Sequence, residues 1–317
     1  MKLFLQCPQI NVNYSDKDGR TALYIASKEG LSLVVKQILT DTKVDVNKGK
    51  TDTGATPLFF ASQEGHLEVV EMLLGHPKID VNKGANTTAL LAASHSGHLE
   101  VVKQLLNHRL IDVNKGRVDT GATALFMASQ YGHSEVVRLL LDQPKIDVNK
   151  LRTDTGTTAL IVGAENGHTR VVMQLLGSPK IDVNKGSNTT ALVIASRNGH
   201  TDVVKLLLCH TQIDVNKAVS SGGSTALLTA CQNGQLEVVK LLLGSPKLDI
   251  NKKNKDEGST ALFVASQTGH LEVVKLLLCC PKTDMHLKNR KGKSPIDIAK
   301  EKGHTDIIHA LAWRKEQ

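Results

Sequence analysis

Residues 260–278 read TALFVASQTGHLEVVKLLL, and the rest of the 317-residue chain is variation on that stretch. Near-copies begin at Thr21, Thr56, Thr88, Thr123, Thr158, Thr190 and Thr225, and an altered copy begins at Ser294. The intervals are 35, 32, 35, 35, 32, 35, 35 and 34 residues. Self-similarity at a period of roughly 20–50 residues is the signature of a stacked repeat array. Thr260 suits a helix N-cap, because its hydroxyl can accept from an orphan N–H of the first turn. Pro57 and Pro295 occupy the next position in two copies, where a helix tolerates proline. Leu262 and Ala265 form the inner stripe of a short first helix, and Gly269 ends it by taking a positive φ. Val273, Val274, Leu276, Leu277 and Leu278 make a second helix apolar almost all round, as suits a helix covered on several sides. Helices of about eight to ten residues are shorter than the ~12–15 that are marginal alone in water, so the repeats must bury one another.

The pattern T-A/P-L-x-x-A-x-x-x-G-H-x-x-V-V-x-x-L-L, closed by D-V-N, resembles the ankyrin repeat and covers nearly the whole chain. The resemblance implies an all-α ankyrin-repeat solenoid of stacked helix-turn-helix units with β-hairpin fingers between them. It also implies a non-catalytic protein–protein interaction module. The expected organisation is one elongated domain over 1–317. A partial unit occupies 1–13, full units have first helices starting near 21, 56, 88, 123, 158, 190, 225 and 260, and a C-terminal cap spans 294–317. The start MKLFLQCPQINVN parallels LLLDQPKIDVN at 139–149, so the chain is expected to begin inside a second helix, as a fragment of a longer array. Asp297, Lys300, Glu301 and Lys302 give the last repeat the polar outer face that a cap needs, and Trp313 is expected to fold over the final helix.

Gly75, Gly177 and Gly244, each two residues before a proline, read as helix stops. The finger turns carry Gly54, Gly121, Gly156, Gly222-Gly223 and Gly258. The fingers before Thr88 and Thr190, at residues 83–87 and 185–189, are clipped relative to the others. Gly163 stands where the other copies have alanine, and a helix-interior glycine costs roughly 0.5–1 kcal/mol.

Hydrophobic residues make up 40% and aromatics only 3%, which fits a core of Leu, Val, Ile and Ala. The net charge of +8 permits an acidic partner without demanding one. Cys7, Cys209, Cys231, Cys279 and Cys280 form no C-x-x-C pair and point to a reducing compartment, cytoplasm or nucleus. The N-terminal apolar run is too short for a secretory signal, and no stretch has the length of a membrane span.

His66, His98, His133, His168, His200, His270 and His304 recur before the second helix. Successive repeats lie about 8–10 Å apart by helix packing, so these histidines cannot converge within ~2.1 Å of one ion. They are read as turn and capping residues. The Asp-x-Asn series, such as Asp80 and Asn82, supplies too few carboxylates per loop for calcium. No nucleophile elbow, phosphate loop or paired carboxylates occur, so neither catalysis nor a cofactor or metal is expected. Lys48, Lys83, Lys115, Lys150, Lys185, Lys217 and Lys252 form a lysine ladder. It is read first as a solvated face, and otherwise as a surface for an acidic ligand or nucleic acid. The scarcity of aromatics argues against nucleic acid. Glu100–Lys103, Glu135–Arg138, Asp202–Lys205, Glu237–Lys240 and Glu272–Lys275 read as ion pairs on the solvent-facing back. Tyr24, Phe59, Leu91, Phe126, Ile161, Val193, Leu228 and Phe263, where most ankyrin repeats carry histidine, are read as core under the fingers.

Two positions before each helix-ending glycine vary while their neighbours repeat. They are Lys28-Glu29, Gln63-Glu64, His95-Ser96, Gln130-Tyr131, Glu165-Asn166, Arg197-Asn198, Gln232-Asn233 and Gln267-Thr268. By resemblance these residues and the finger tips line a concave groove that grips a protein or extended peptide. Tyr131 and Arg197 stand out, since Tyr and Arg are enriched in hot spots. The expected state is a monomer with no membrane partner. The alternative is a targeting array of a larger protein whose catalytic or membrane domain lies elsewhere. The resemblance also makes finger asparagines candidate substrates for hydroxylation.

Overall fold

The computed structural model describes residues 11–220 and 222–315. The partial repeat expected at 1–13 lies, up to residue 10, outside them, as does Cys7. The chain divides into two compact units, residues 1–155 and 156–317. The N-terminal unit holds α1 (Ala22–Lys28), α2 (Ser32–Ile38), α3 (Pro57–Gln63), α4 (Leu67–Leu74), α5 (Ala89–Ser96), α6 (Leu99–Leu106), α7 (Ala124–Gln130) and α8 (Ser134–Leu141). The C-terminal unit holds α9 (Ala159–Glu165), α10 (Thr169–Leu176), α11 (Ala191–Asn198), α12 (Thr201–Cys209), α13 (Ala226–Gln232), α14 (Leu236–Leu243), α15 (Ala261–Thr268), α16 (Leu271–Leu278), α17 (Pro295–Lys302) and α18 (Thr305–Lys315).

Within each unit, first helices pack on first helices and second on second, as α3 on α5 or α14 on α16. The apolar spacing explains this. Val69, Val70 and Leu73 of α4, like Val273, Val274 and Leu277 of α16, lie inside, and their polar neighbours point out. Fully burying such a side chain contributes roughly 1.5–3 kcal/mol, which offsets the weakness of helices this short.

The capping reading holds in detail. The hydroxyls of Thr21, Thr56, Thr88, Thr123, Thr158, Thr190, Thr225 and Thr260 each accept the N–H three residues on, at 3.1–3.4 Å. Ser294 instead shares a capping box with Asp297, whose carboxylate accepts the Ser294 N–H at 2.9 Å. Gly269 takes φ 84° as expected.

The stops after the second helices differ from expectation. Gly75, Gly177 and Gly244 sit in right-handed geometry, φ −70° to −71°. Asn107, Asp142 and Cys279 occupy the same place with the same backbone. Glycine is therefore not what ends these helices. The segment that follows is tied to the asparagine of the preceding repeat, as Lys78 and Asp80 are to Asn47.

The fingers are short hydrogen-bonded turns. At one, Lys50 N–H donates to Ala55 O across the base and Gly54 N–H to Lys50 O at the tip. Among the described residues no strand forms, only an isolated bridge between Ser15 and Thr21. No helix among them is long and apolar enough to cross a membrane.

Candidate partner-binding face

The histidines latch one repeat to the one before. His66 Nε2 lies 2.9 Å from Lys28 O, His98 Nε2 2.9 Å from Gln63 O, and His133 Nε2 2.9 Å from His95 O. In the C-terminal unit, His200 reaches Glu165 O at 2.9 Å, His270 Gln232 O at 3.2 Å and His304 Gln267 O at 3.3 Å. A carbonyl only accepts, so Nε2 carries the proton in each. Those oxygens belong to the last turns of first helices, which lack an intrahelical donor. The histidine therefore caps the preceding repeat's first helix rather than its own second helix, a partner that spacing alone did not reveal. Where histidine is replaced, Gln235 Nε2 donates to Arg197 O at 3.3 Å. The rings also lie against the helix-ending glycines. A Cβ on Gly65 would come within 2.7 Å of the His98 ring.

A second tie runs along the base of the fingers. Asn47 Nδ2 donates to Lys78 O at 2.6 Å while its Oδ1 accepts Asp80 N–H at 2.8 Å. Asn13, Asn82, Asn114, Asn184, Asn216 and Asn251 make the same two bonds to the following repeat. The aspartate of each motif folds back on its own loop, as Asp80 Oδ1 accepts Asn82 N–H at 3.0 Å. Both side chains are thus engaged in backbone ties.

The lysine ladder is partly absorbed by the same framework. Lys48 Nζ donates to Asn13 O at 2.7 Å and Lys115 Nζ to Asn82 O at 2.8 Å. Lys83, Lys150 and Lys185 remain exposed. Sequence reasoning overlooked the finger ion pairs. Arg117 forms two parallel bonds to Asp119, at 3.0 and 2.8 Å, and Arg152 does the same with Asp154. Lys50 pairs with Asp52 at 2.6 Å. The signal was a basic residue two before an aspartate. The Arg117 guanidinium, helped by the Asn86 amide of the clipped finger, holds the Asp119 carboxyl far below the usual carboxylate range.

The row after the repeated leucine is core, as expected, except at one place. Tyr24, Leu91, Phe126, Ile161, Val193, Leu228 and Phe263 are buried, whereas Phe59 is half-buried. All five back-face pairs form, from Glu237–Lys240 at 2.6 Å to Glu100–Lys103 at 3.8 Å. Glu71, which stands where those repeats carry the basic residue, accepts from Gln104 instead. Trp313 is 62% exposed beside Leu278, Cys279 and Ala310.

The variable pairs all reach solvent. Lys28, Glu29, Glu64, His95, Tyr131, Glu165, Asn166, Arg197, Asn198, Gln232, Asn233 and Thr268 are exposed, and Gln63, Ser96, Gln130 and Gln267 are partly so. In the N-terminal unit they meet. The His95 and Tyr131 rings stand edge to face at 4.4 Å, beside a concavity of about 310 Å³ that Phe59, Gln63, Arg117 and Met127 also line.

The family profile "Ankyrin repeats (3 copies)" matches residues 1–85, 81–152, 147–219 and 227–317. Among solved structures, the chain is similar to the ankyrin repeat protein EF0377, with 28% identity and a TM-score of 0.56 over 64% of this chain and 98% of that one. No curated protein matches the sequence. Stacked helix pairs, the latched glycine turns and a profile match along almost the whole length agree: the chain belongs to the ankyrin repeat family.

Proposed function

We propose that the chain binds a protein or extended peptide through the variable pairs at the ends of its first helices and the adjoining finger tips, with no chemistry of its own. Ankyrin repeats are in general protein–protein interaction modules and typically non-catalytic. The observation that carries the finer reading is the His95–Tyr131 concavity. Two variable positions from successive repeats meet there, and Tyr131 is 47% exposed over an opening of about 310 Å³. The backbone beneath it is already fixed, because His133 holds His95 O. A surface ordered before binding loses little entropy when a partner arrives. Aromatic anchors beside a cleft are the usual form of a hot spot.

The test is affinity capture with the wild type, Tyr131→Ala and Arg197→Glu, followed by titration of the captured partner. Tyr131→Ala is expected to weaken binding by about tenfold or more, the range of a hot-spot truncation. A partner held equally by wild type and both variants would overturn this site.

A further inference from the structure

The fingers at the two ends of the described chain have one backbone, but the first is neutral and the last strongly basic. In SDKDGRT at 15–21, Asp16 N–H donates to Arg20 O at 3.1 Å and Gly19 N–H to Asp16 O at 2.9 Å. Asp16 Oδ1 accepts from Asp18 N–H at 3.0 Å and Arg20 N–H at 2.9 Å. In KNRKGKS at 288–294, Asn289 N–H donates to Lys293 O at 2.9 Å and Gly292 N–H to Asn289 O at 3.0 Å. Asn289 Oδ1 accepts from Lys291 N–H and Lys293 N–H, both at 3.0 Å. Gly19 and Gly292 take φ 77° and 74°.

The turn therefore needs a side-chain oxygen at its first position and glycine at its fourth. It does not need the charges. In the first finger Arg20 is neutralised by Asp16 at 2.8 Å and Asp18 at 2.9 Å. In the last, Asn289 and Lys291 stand in their places, and Lys288, Arg290 and Lys291 are exposed with no acid in the finger. The fold does not explain that excess.

The surroundings add to it. Lys253 Nζ donates to Lys288 O at 2.8 Å, and Arg290 N–H to Glu257 O at 2.8 Å, so the preceding finger lies alongside. Lys293 pairs with Glu301. Asp297, held below the usual carboxylate range by the Ser294 hydroxyl and N–H, also feels Lys300 and Lys288. Glu301, lowered chiefly by Lys293, feels Lys302 and Lys291 as well. Residues 252–258 and 288–302 hold four acids, Asp256, Glu257, Asp297 and Glu301, against nine cations at 252, 253, 255, 288, 290, 291, 293, 300 and 302. The patch carries most of the positive excess of its unit. Residues 1–155 hold 18 basic and 17 acidic side chains, and residues 156–317 hold 21 and 14.

We infer that the finger at 288–293, with the adjoining α17, is a docking surface for an acidic, aspartate- or glutamate-rich segment of a protein partner. The patch favours carboxylates over nucleic acid. Residues 252–258 and 288–302 contain no aromatic side chain on which a base could stack, and the family binds proteins in general. Exposed lysines with complementary charge set encounter rate and specificity, and salt screens them. The inference rests on the protein-binding reading but uses none of the variable-pair residues.

The experiment measures fluorescence anisotropy of a labelled glutamate-rich peptide with the full chain. Asn289→Asp combined with Lys291→Asp gives the last finger the two acids of the first, whose backbone is the same, so the turn is kept. The expected result is a loss of affinity of about tenfold or more, with a change below about twofold for Lys78→Glu combined with Lys145→Gln, which removes the same net charge from exposed positions elsewhere. Equal weakening by both combinations, or no binding by the wild type, would overturn the inference. So would tighter binding of a single-stranded oligonucleotide that the same finger variant abolishes. Tyr131→Ala is expected to leave this peptide bound. Loss with Tyr131→Ala but not with the finger variant would remove the patch while leaving the concavity reading intact.

Discussion

Ser27, Ser62, Ser94, Ser129 and Ser196 each bury a hydroxyl that has no hydrogen-bond partner. They occupy one helical position, where Ala164 and Cys231 stand in other repeats and are equally buried. Only packing is asked of that site. Ser266, in the same place, turns its hydroxyl to Leu262 O at 2.8 Å. A buried polar group left unpaired costs about 1–3 kcal/mol, whereas a made bond contributes about 1 kcal/mol. Ser94→Ala is therefore expected to raise stability in urea unfolding, by about 1 kcal/mol more than Ser266→Ala does. Equal effects would mean that the Ser94 hydroxyl finds a partner in solution. Gly163 is the converse case. It is buried in α9 where Ala195 and Ala230 are fully buried in α11 and α13. Gly163→Ala should stabilise by roughly 0.5–1 kcal/mol, through lower unfolded-state entropy and a better helix. A lower urea midpoint would show that this repeat has closed around the missing methyl.

Helices this short are held by their neighbours' side chains, and the histidine latch is the clearest instance. His98→Ala would orphan Gln63 O and leave a gap above Gly65, costing about 1–3 kcal/mol. His98→Gln should recover most of that loss, since Gln235 already performs the task at Arg197 O. Thermal melts of the two variants decide it, and equal losses would place the effect in ring packing alone. Among the fingers, the Arg117–Asp119 pair sets a pH response. Asp119 has a folded pKa below its unfolded value, so its contribution is present above the ordinary carboxylate range and disappears as pH falls through the lowered value. Carboxyl-detected NMR titration should find the Asp119 midpoint well below those of unpaired aspartates, and Arg117→Ala should move it up. The repeated letters made the caps, the helices and the inner stripe legible in the sequence, because Thr260, Leu262 and Gly269 act within their own repeat. The partners of His98 and Asn47 were not legible, because each reaches a backbone atom 31–38 residues away that no spacing within one repeat records. The variable pairs were legible as exposed positions, yet the meeting of His95 with Tyr131 depends on how two repeats pack.

For the whole molecule, the bonds described here join a repeat to the next one, through histidine to carbonyl and asparagine to backbone. Stability in such an array is a sum of repeat terms and nearest-neighbour terms, so damage should spread along the chain and fade. Leu242, fully buried in α14, offers a direct probe. Leu242→Ala removes about 2–5 kcal/mol of packing from the repeats that share it, α12 and α16 being its second-helix neighbours. Native-state hydrogen exchange of this variant should be fastest relative to wild type in α12 to α16 and close to wild type in α1 to α4. Equal acceleration from α1 to α16 would mean that the chain opens all at once. The nearest-neighbour account would then give way to a single cooperative transition.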